Sequence, residues 1–298
     1  MSVLVFGSLN IDKTYNVDHL VRPGETISAS GLQLFAGGKG LNQAIAARRA
    51  GAEVFFAGAV GNDGDMLRAI LRENDIDDSF VIRRDCASGH AVIQVDGEGR
   101  NSIIILAGAN GTITEEQIDK TLRAFCSDDM IILQNEINYV DKIIKAAHQK
   151  GMRVCYNPSP MNEKVSLCDL SKVDMLFVNE NEGQAIAGEN CSQERVLTVL
   201  GERYPDMEIV LTLGERGSMR YKGGKIISCK AEKAEAVDTT AAGDTYTGYY
   251  IAGSVNGMSA SEAMRFASYA AAISVSKKGA VASIPRKEEV TAYMEKDS

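Results

Sequence analysis

The sequence predicts an α/β fold: a mainly parallel central sheet flanked by helices, with a small second β-sheet acting as a lid. Three observations predict it. Short apolar runs recur at residues 3–6, 54–57, 130–133, 153–156, 175–178 and 209–212, each of a length suited to a strand buried on both faces. Segments of helical character separate them, for example 140–150 and 193–203, and such alternation requires crossover connections and therefore parallel pairing. Two regions, 12–35 and 88–107, break the alternation, because polar and apolar residues interchange there around turn sequences.

In chain order, Met1-Ser2-Val3-Leu4-Val5-Phe6-Gly7 reads as a buried first strand and not as a charged leader with a cleavage site. The turns Arg22-Pro23-Gly24 and Asp96-Gly97-Glu98-Gly99 make hairpins of the two irregular regions; the alternative is a pair of antiparallel strands at the edge of the central sheet. Cys155 falls inside the apolar run Val154-Cys155-Tyr156 and is expected in the core, while His148 sits in the polar tail of its helix and is expected at the surface. Ser259-Ala260-Ser261-Glu262 has the form of a capping box, followed at helical spacing by Ala263, Met264, Ala267, Ala270 and Ala271. With no Gly/Ser-rich linker, repeat or low-complexity tract, residues 1–298 are expected to form one domain, with the lid excursions at 12–35 and 88–107.

Composition narrows the function. The 298 residues are 45% hydrophobic and carry a net charge of -8, without a basic run, which argues against a nucleic-acid partner. Apolar stretches such as 130–133 and 270–275 fall far short of the roughly 20 residues of a membrane span, so a cytoplasmic enzyme is expected. Six cysteines without C-x-x-C spacing suggest neither zinc nor a redox pair, and they are read as reduced.

The most informative segment is Asp238-Thr239-Thr240-Ala241-Ala242-Gly243-Asp244, two carboxylates around small residues just before a helical segment. Small residues let backbone N–H groups approach an anion, and a helix N-terminus adds partial positive charge. A carboxylate beside such a hole is unfavourable unless it has a task. Accepting a proton from an attacking hydroxyl during phosphoryl transfer is one, and Asp244 is the candidate base. The alternative role for Asp244 is a plain helix cap.

In Phe35-Ala36-Gly37-Gly38-Lys39-Gly40-Leu41-Asn42-Gln43-Ala44 a helix is expected to begin near Leu41, with Lys39 and Asn42 at its first turn. The spacing is not that of a phosphate-binding G-x-x-x-x-G-K-[ST] loop. Hydroxyl recognition suits it better: Lys39 donates, Asn42 donates and accepts, and Asn10 with Asp12 after the first strand would supply the acceptors a polyhydroxylated sugar needs. Asn10 and Asp12 would equally suit an ordinary polar turn. The first strand leads into Gly7-Ser8-Leu9-Asn10, which lacks the G-x-G-x-x-G of a dehydrogenase.

These segments resemble the ribokinase family of sugar kinases, over nearly the full length. The resemblance runs from Gly7-Ser8-Leu9-Asn10-Ile11-Asp12 through Pro23-Gly24-Glu25-Thr26 and Gly37-Gly38-Lys39-Gly40-Leu41-Asn42-Gln43-Ala44 to Asp238-Thr239-Thr240-Ala241-Ala242-Gly243-Asp244-Thr245. Between them lie Gly108-Ala109-Asn110, Leu133-Gln134-Asn135-Glu136, Asn157-Pro158-Ser159-Pro160, Asn179-Glu180-Asn181-Glu182 and Thr212-Leu213-Gly214. The chain departs from the family pattern at Met66, where a glycine is usual, at Leu41, where alanine is common, and at Gly99-Arg100-Asn101.

The resemblance implies the ribokinase-like three-layer fold and ATP-dependent phosphorylation of a pentose at its primary hydroxyl, D-ribose giving D-ribose 5-phosphate. Alternatives are another furanose (fructose, deoxyribose or a nucleoside) or a non-catalytic sugar-binding protein. It makes Asp244 the base and the N–H groups of Ala241, Ala242, Gly243 and Asp244 the anion hole. Asn10, Asp12, Gly38, Lys39, Asn42 and Glu136 would bind the sugar. Asn179 and Glu182 would position Mg²⁺ through water, a role compatible with Glu182 as a first-turn helix carboxylate. Nucleotide contacts would come from Asn179, Thr212, Gly214, Glu215, Gly217 and Gly243, with the helix around 266–274 lining part of the adenine pocket and no adenine-specific residue assigned. Asp238, Thr240, Ser274, Lys277, Gly279 and Ser283 would hold K⁺, Ser274, Lys277 and Gly279 by carbonyls, although Lys277-Lys278 would also suit a solvated charge pair and Asp238 a turn. A homodimer through the lid is implied as well, with Ala91, Ile93, Val95, Ile103 and Ile105 as interface side chains.

Overall fold

The computed structural model describes residues 1–296. The chain opens with β1 (Val3–Phe6), β2 (Asn10–Asn16), β3 (Gly31–Gly37), α1 (Lys39–Arg49), β4 (Val54–Val60), α2 (Asp65–Glu73) and β5 (Asp77–Arg83). It continues through β6 (Gly89–Val95), β7 (Asn101–Leu106), α3 (Glu115–Arg123), β8 (Met130–Gln134), α4 (Val140–Gln149), β9 (Arg153–Asn157), β10 (Met175–Asn179), α5 (Glu180–Ala187) and α6 (Gln193–Arg203). It closes with β11 (Glu208–Thr212), β12 (Ser218–Lys222), β13 (Lys225–Cys229), α7 (Ala242–Val255), α8 (Ala260–Val275) and α9 (Lys287–Lys296).

The large sheet has the order β13-β12-β11-β10-β9-β8-β1-β4-β5. It is parallel from β11 to β5 and ends in the antiparallel pairs β11–β12 and β12–β13. Successive side chains on a strand point to opposite faces, so each central strand feeds two cores. Val3 and Val5 join Ile132, Phe177 and Val210 beneath α1, α7 and α8, while Leu4 and Phe6 join Ile131, Tyr156 and Leu211 beneath α3, α4 and α6. That double burial is why these strands read as unbroken apolar runs, and each fully buried Leu, Ile or Phe contributes about 1.5–3 kcal/mol.

All six anticipated strands are present, as are the two named helices, and the box at Ser259 and Glu262 caps α8 with both reciprocal hydrogen bonds. Cys155 is fully buried and His148 is exposed. Three strands were not anticipated: β5 and β13 lie at the two sheet edges and β12 beside β13, all with interrupted burial, so they show no apolar run. Among the described residues, no helix is long and apolar enough to cross a membrane.

The two irregular regions form a separate four-stranded sheet, β3-β2-β6-β7, and do not extend the central one. Each pairs antiparallel within itself, and β2 runs parallel to β6 to join them. Both expected turns are there, with Glu25 N–H donating to the Arg22 carbonyl and Gly99 N–H to that of Asp96. On β7, Ile103 to Leu106 are all at least half exposed, as are Leu32 and Leu34 on β3. Ala91, by contrast, is buried within the fold.

Candidate active site

Helix α7 begins earlier than the sequence suggested, at Ala242, and Ala241 is its N-cap without a side-chain capping bond. Asp244 is therefore not the cap. It is the third helical residue, 4% exposed, and its carboxylate turns toward α1. Asn42 donates to Oδ2 at 3.0 Å and Gln43 to Oδ1 at 2.9 Å, while Lys39 Nζ lies 3.8 Å from Oδ1. The first N–H groups of any helix lack intrahelical partners. Here the first helical bond runs from Thr245 N–H to the Ala241 carbonyl, and Ala242 N–H leans back on Thr239 at 3.3 Å. A Cβ built on Gly243 would meet nothing within 4 Å, so the turn faces open space.

Helix α1 also starts earlier than expected, at Lys39 instead of near Leu41, because Gly38 adopts φ 98 and serves as its N-cap. Only glycine takes that backbone readily. Gly40 allows a close approach: a Cβ there would sit 2.4 Å from the Ser8 nitrogen. The helix thus lies directly on the β1–β2 turn, and Lys39, Asn42 and Gln43 are held against Asp244, which is 202 residues from Asn42 in sequence. The charge on Asp244 raises the Lys39 pKa, opposed in part by burial.

At the root of the lid, Asn10 accepts from Asn110 at 2.7 Å, and Asn110 also clasps the Leu9 backbone through its Oδ1 and Nδ2. Asp12 follows on β2, opposite Phe35 on β3. Burial, reinforced by the charge of Glu136, pushes its pKa up to about 6. Glu136 is raised too, chiefly by burial, although it accepts hydrogen bonds from Ser8 Oγ and from the Lys39 N–H. Its carboxylate therefore ties the start of α1 to the first turn.

Two cavities meet at the start of α7. The smaller, about 80 Å³, is bordered by Lys39, Asn179, Glu182, Thr212, Gly243 and Asp244. The larger, about 590 Å³, is bordered on one side by Gly214, Glu215 and Gly217, and by Thr239 and Ala242 at the helix entrance. Helix α8 turns Ser268, Ala271 and Ala272 into it, whereas Phe266 stacks edge-on against Tyr249 in the core. Asn179 and Glu182 form a complete capping box for α5: Asn179 accepts from the Glu182 N–H, and Glu182 accepts from the Asn179 N–H. Glu182 thus combines helix capping with a place on the cavity wall.

Asp238 gathers the next group. Its carboxylate accepts from both the N–H and the hydroxyl of Thr240 and from the Gly279 N–H at 2.9 Å. Burial works to raise its pKa, but these bonds outweigh it and hold the group below the ordinary range. Ser274 and Ser283 meet hydroxyl to hydroxyl at 3.0 Å, with Thr245 joining Ser274. Gly279 reaches Asp238 through its N–H. Lys277 places its ammonium on Glu289.

Sequence reasoning missed Gln43, Asn157 and Thr247. The last two border the smaller cavity, and Gln43 bonds both Asn157 and Asp244. Gln43 stands inside the glycine-rich segment from Gly37 to Ala44, but a glutamine at an early helical position carries no signal of its own.

The model of the pfkB family of carbohydrate kinases matches residues 1–287. A ribokinase from Haemophilus influenzae is 33% identical over 305 residues, covering 99% of this chain and 98% of its own. A deoxyribokinase from Salmonella typhimurium is 29% identical over 302 residues, covering 99% of both. Among solved structures, Arabidopsis thaliana ribokinase complexed with ribose and ATP superposes with a TM-score of 0.86 at 28% identity, covering 99% of this chain and 98% of that one.

Proposed function

The chain belongs to the pfkB family of carbohydrate kinases, phosphotransferases with an alcohol acceptor, and from that membership we propose that it transfers the γ-phosphoryl group of ATP to the primary hydroxyl of D-ribose. The observation that carries the reading is the start of α7 standing between two cavities, with Asp244 on the side of the smaller one and Ala242 on that of the larger. The larger cavity suits the nucleotide, and the smaller one, where Asn179, Thr212 and Gly243 stand beside Lys39 and Asp244, suits the phosphates at the point of transfer.

Asp244 takes the proton of the sugar hydroxyl as the new O–P bond forms and the bond from the γ-phosphorus to the β,γ-bridging oxygen breaks, releasing ADP. The N–H groups of Ala241, Ala242, Gly243 and Asp244 face the charge on the moving phosphoryl group, that of Ala242 by giving up its long bond to Thr239. Asn10, Asp12, Gly38, Lys39, Asn42 and Glu136 hold the sugar. Buried Asn42 Oδ1 has no hydrogen-bond partner among the described residues, and a sugar hydroxyl is a donor that would fill it. Asn179, Thr212, Gly214, Glu215, Gly217 and Gly243 contact the nucleotide.

Among the described residues no three His, Cys, Asp or Glu side chains converge as a metal cage. A divalent ion such as Mg²⁺ that arrives with ATP would neutralise phosphate charge, with Glu182 and Asn179 at its hydration shell. Asp238, Thr240, Ser274, Lys277, Gly279 and Ser283 supply the oxygens for an activating K⁺. The protein works as one kinase domain in the cytoplasm and dimerises through the lid, whose apolar β7 face would otherwise meet water.

Measuring ADP release with ribose, 2-deoxyribose, fructose, ribulose and several nucleosides tests the reading. The largest kcat/KM is expected with ribose. A clear preference for deoxyribose, in line with the Salmonella relative, would move the assignment within the family.

A further inference from the structure

We infer that Gln43 is a positioning residue for phosphoryl transfer, one that fixes the orientation of the Asp244 carboxylate and keeps a donor aimed at it through a chain of side-chain amides with one obligatory polarity. The inference rests on the reading of Asp244 as the base.

The polarity is set from the core. The Phe177 carbonyl can only accept, so Asn157 presents Nδ2 to it, at 2.8 Å, and turns Oδ1 the other way. Gln43 must then present its NH₂ to Asn157 Oδ1, at 3.1 Å. The second hydrogen of that same NH₂ goes to Asp244 Oδ1 at 2.9 Å. Gln43 Oε1 is left as an acceptor and takes the Gln134 amide at 2.7 Å. Every polar atom of the Gln43 side chain is thereby committed, and the residue is fully buried. It cannot rotate its amide without setting its oxygen against the oxygens of Asn157 and Asp244 and its NH₂ against that of Gln134, a cost buried groups cannot relieve with water.

The Asp244 carboxylate is gripped from both sides, by Asn42 on Oδ2 and Gln43 on Oδ1, which leaves little rotational freedom for the base. The other charged groups facing this place are Lys39 on α1, Glu136 after β8, Glu182 on α5 and, through Glu136, Asp12 on β2. None of them changes when Gln43 does.

The test is steady-state kinetics of the full chain with ribose and MgATP for Gln43→Met and Asp244→Asn. Gln43→Met keeps length and flexibility but removes the donor. It is expected to lower kcat about 10- to 100-fold while both KM values stay within about twofold. Wild-type kcat would overturn the inference, as would a loss spread equally over kcat and both KM values. If Gln43→Met does not fold, Gln43→Glu keeps the shape but sets an acceptor oxygen against Asp244; it must lose kcat with the same split, and wild-type kcat overturns the inference. Asp244→Asn separates the layers: if it retains turnover, the base reading itself fails; if it is inactive while Gln43→Met is normal, only the role of Gln43 falls.

Discussion

The side-chain amide of Asn42 donates to Asp244 Oδ2 at 3.0 Å, joining the first turn of α1 to the first turn of α7. With Gln43 on the other oxygen, both carboxylate oxygens already face donors, so an amide placed there must set one NH₂ against another N–H.

Asp244→Asn is therefore expected to lose turnover by about 10²- to 10⁴-fold, the usual cost of removing a general base, with a small fall in Tm. Sugar and nucleotide should still bind by calorimetry. Wild-type kcat would reduce Asp244 to a structural acceptor for α1.

Asp12 gives a pH signature. With its pKa pushed up to about 6, the folded protein binds more protons than the unfolded chain between pH 3.8 and about 6, so stability falls as pH rises through that window. Asp12→Asn removes that loss and is expected to raise Tm at about pH 8 but not at about pH 3.5. As the proposed acceptor of sugar hydroxyls, the ionised group would be worth roughly 1.5–3 kcal/mol. The ribose KM should climb as pH drops below about 6 while the ATP KM does not, and the variant should be flat; a parallel slope in the variant would assign the effect elsewhere.

Gly40→Ala probes the contact between α1 and the first turn. Its Cβ would lie 2.4 Å from the Ser8 nitrogen and 2.8 Å from the Gly7 Cα, both backbone atoms that cannot swing aside. Thermal unfolding should show destabilisation of about 1–3 kcal/mol, the range for overpacking, together with a fall in kcat as Lys39 and Asn42 are displaced. An unchanged Tm would mean that the helix can slide.

Replacing Na⁺ by K⁺ at constant ionic strength, as chlorides, is expected to raise kcat, because an ion held beside Asp238 would stiffen the turn that carries Ala241 and Ala242. Identical rates after dialysis against both salts would remove the activation claim. Asp238→Ala should abolish any difference between the salts.

The row Ile103 to Leu106 predicts association. Light scattering at micromolar concentration should give twice the 32.0 kDa chain mass, and Ile104→Asp, at the most exposed of the four positions, should shift it toward the monomer. A wild-type monomer at all concentrations would mean that the lid face stays open to water.

Much of this architecture was legible because burial on both faces leaves a simple trace: runs such as Ile131 to Leu133 admit few readings. Strands at and beside the sheet edge leave a weaker one. β12 is buried only at Ser218 and Met219 and β13 at no position, and no period survives there. The helix starts at Lys39 and Ala242 were displaced by two or three residues because neither Gly38 nor Ala241 offers a capping side chain, whereas Ser259, which does, was placed correctly. At the site, residues with a distinctive chemistry were recognisable, Asp244 and Lys39 among them. Gln43 and Asn157 were not, since their importance lies in an amide orientation that propagates from the Phe177 carbonyl across three elements.

The chain first enters the small sheet at Asn10 and leaves it at Gly37, two residues before Lys39. Two of the residues proposed to grip the sugar, Asn10 and Asp12, thus belong to the root of a lid strand, and two more, Gly38 and Lys39, follow the end of its neighbour. Any tilt of that sheet displaces Asn10 and Asp12, and any pull on those two side chains tilts the sheet. Water is always the rival acceptor for a phosphoryl group, and a cover that closed on nucleotide alone would sacrifice ATP to hydrolysis. If Asn10 and Asp12 hold the acceptor, shelter and acceptor recognition would share one strand, and the arrangement would favour closing only when a molecule with hydroxyls is already in place.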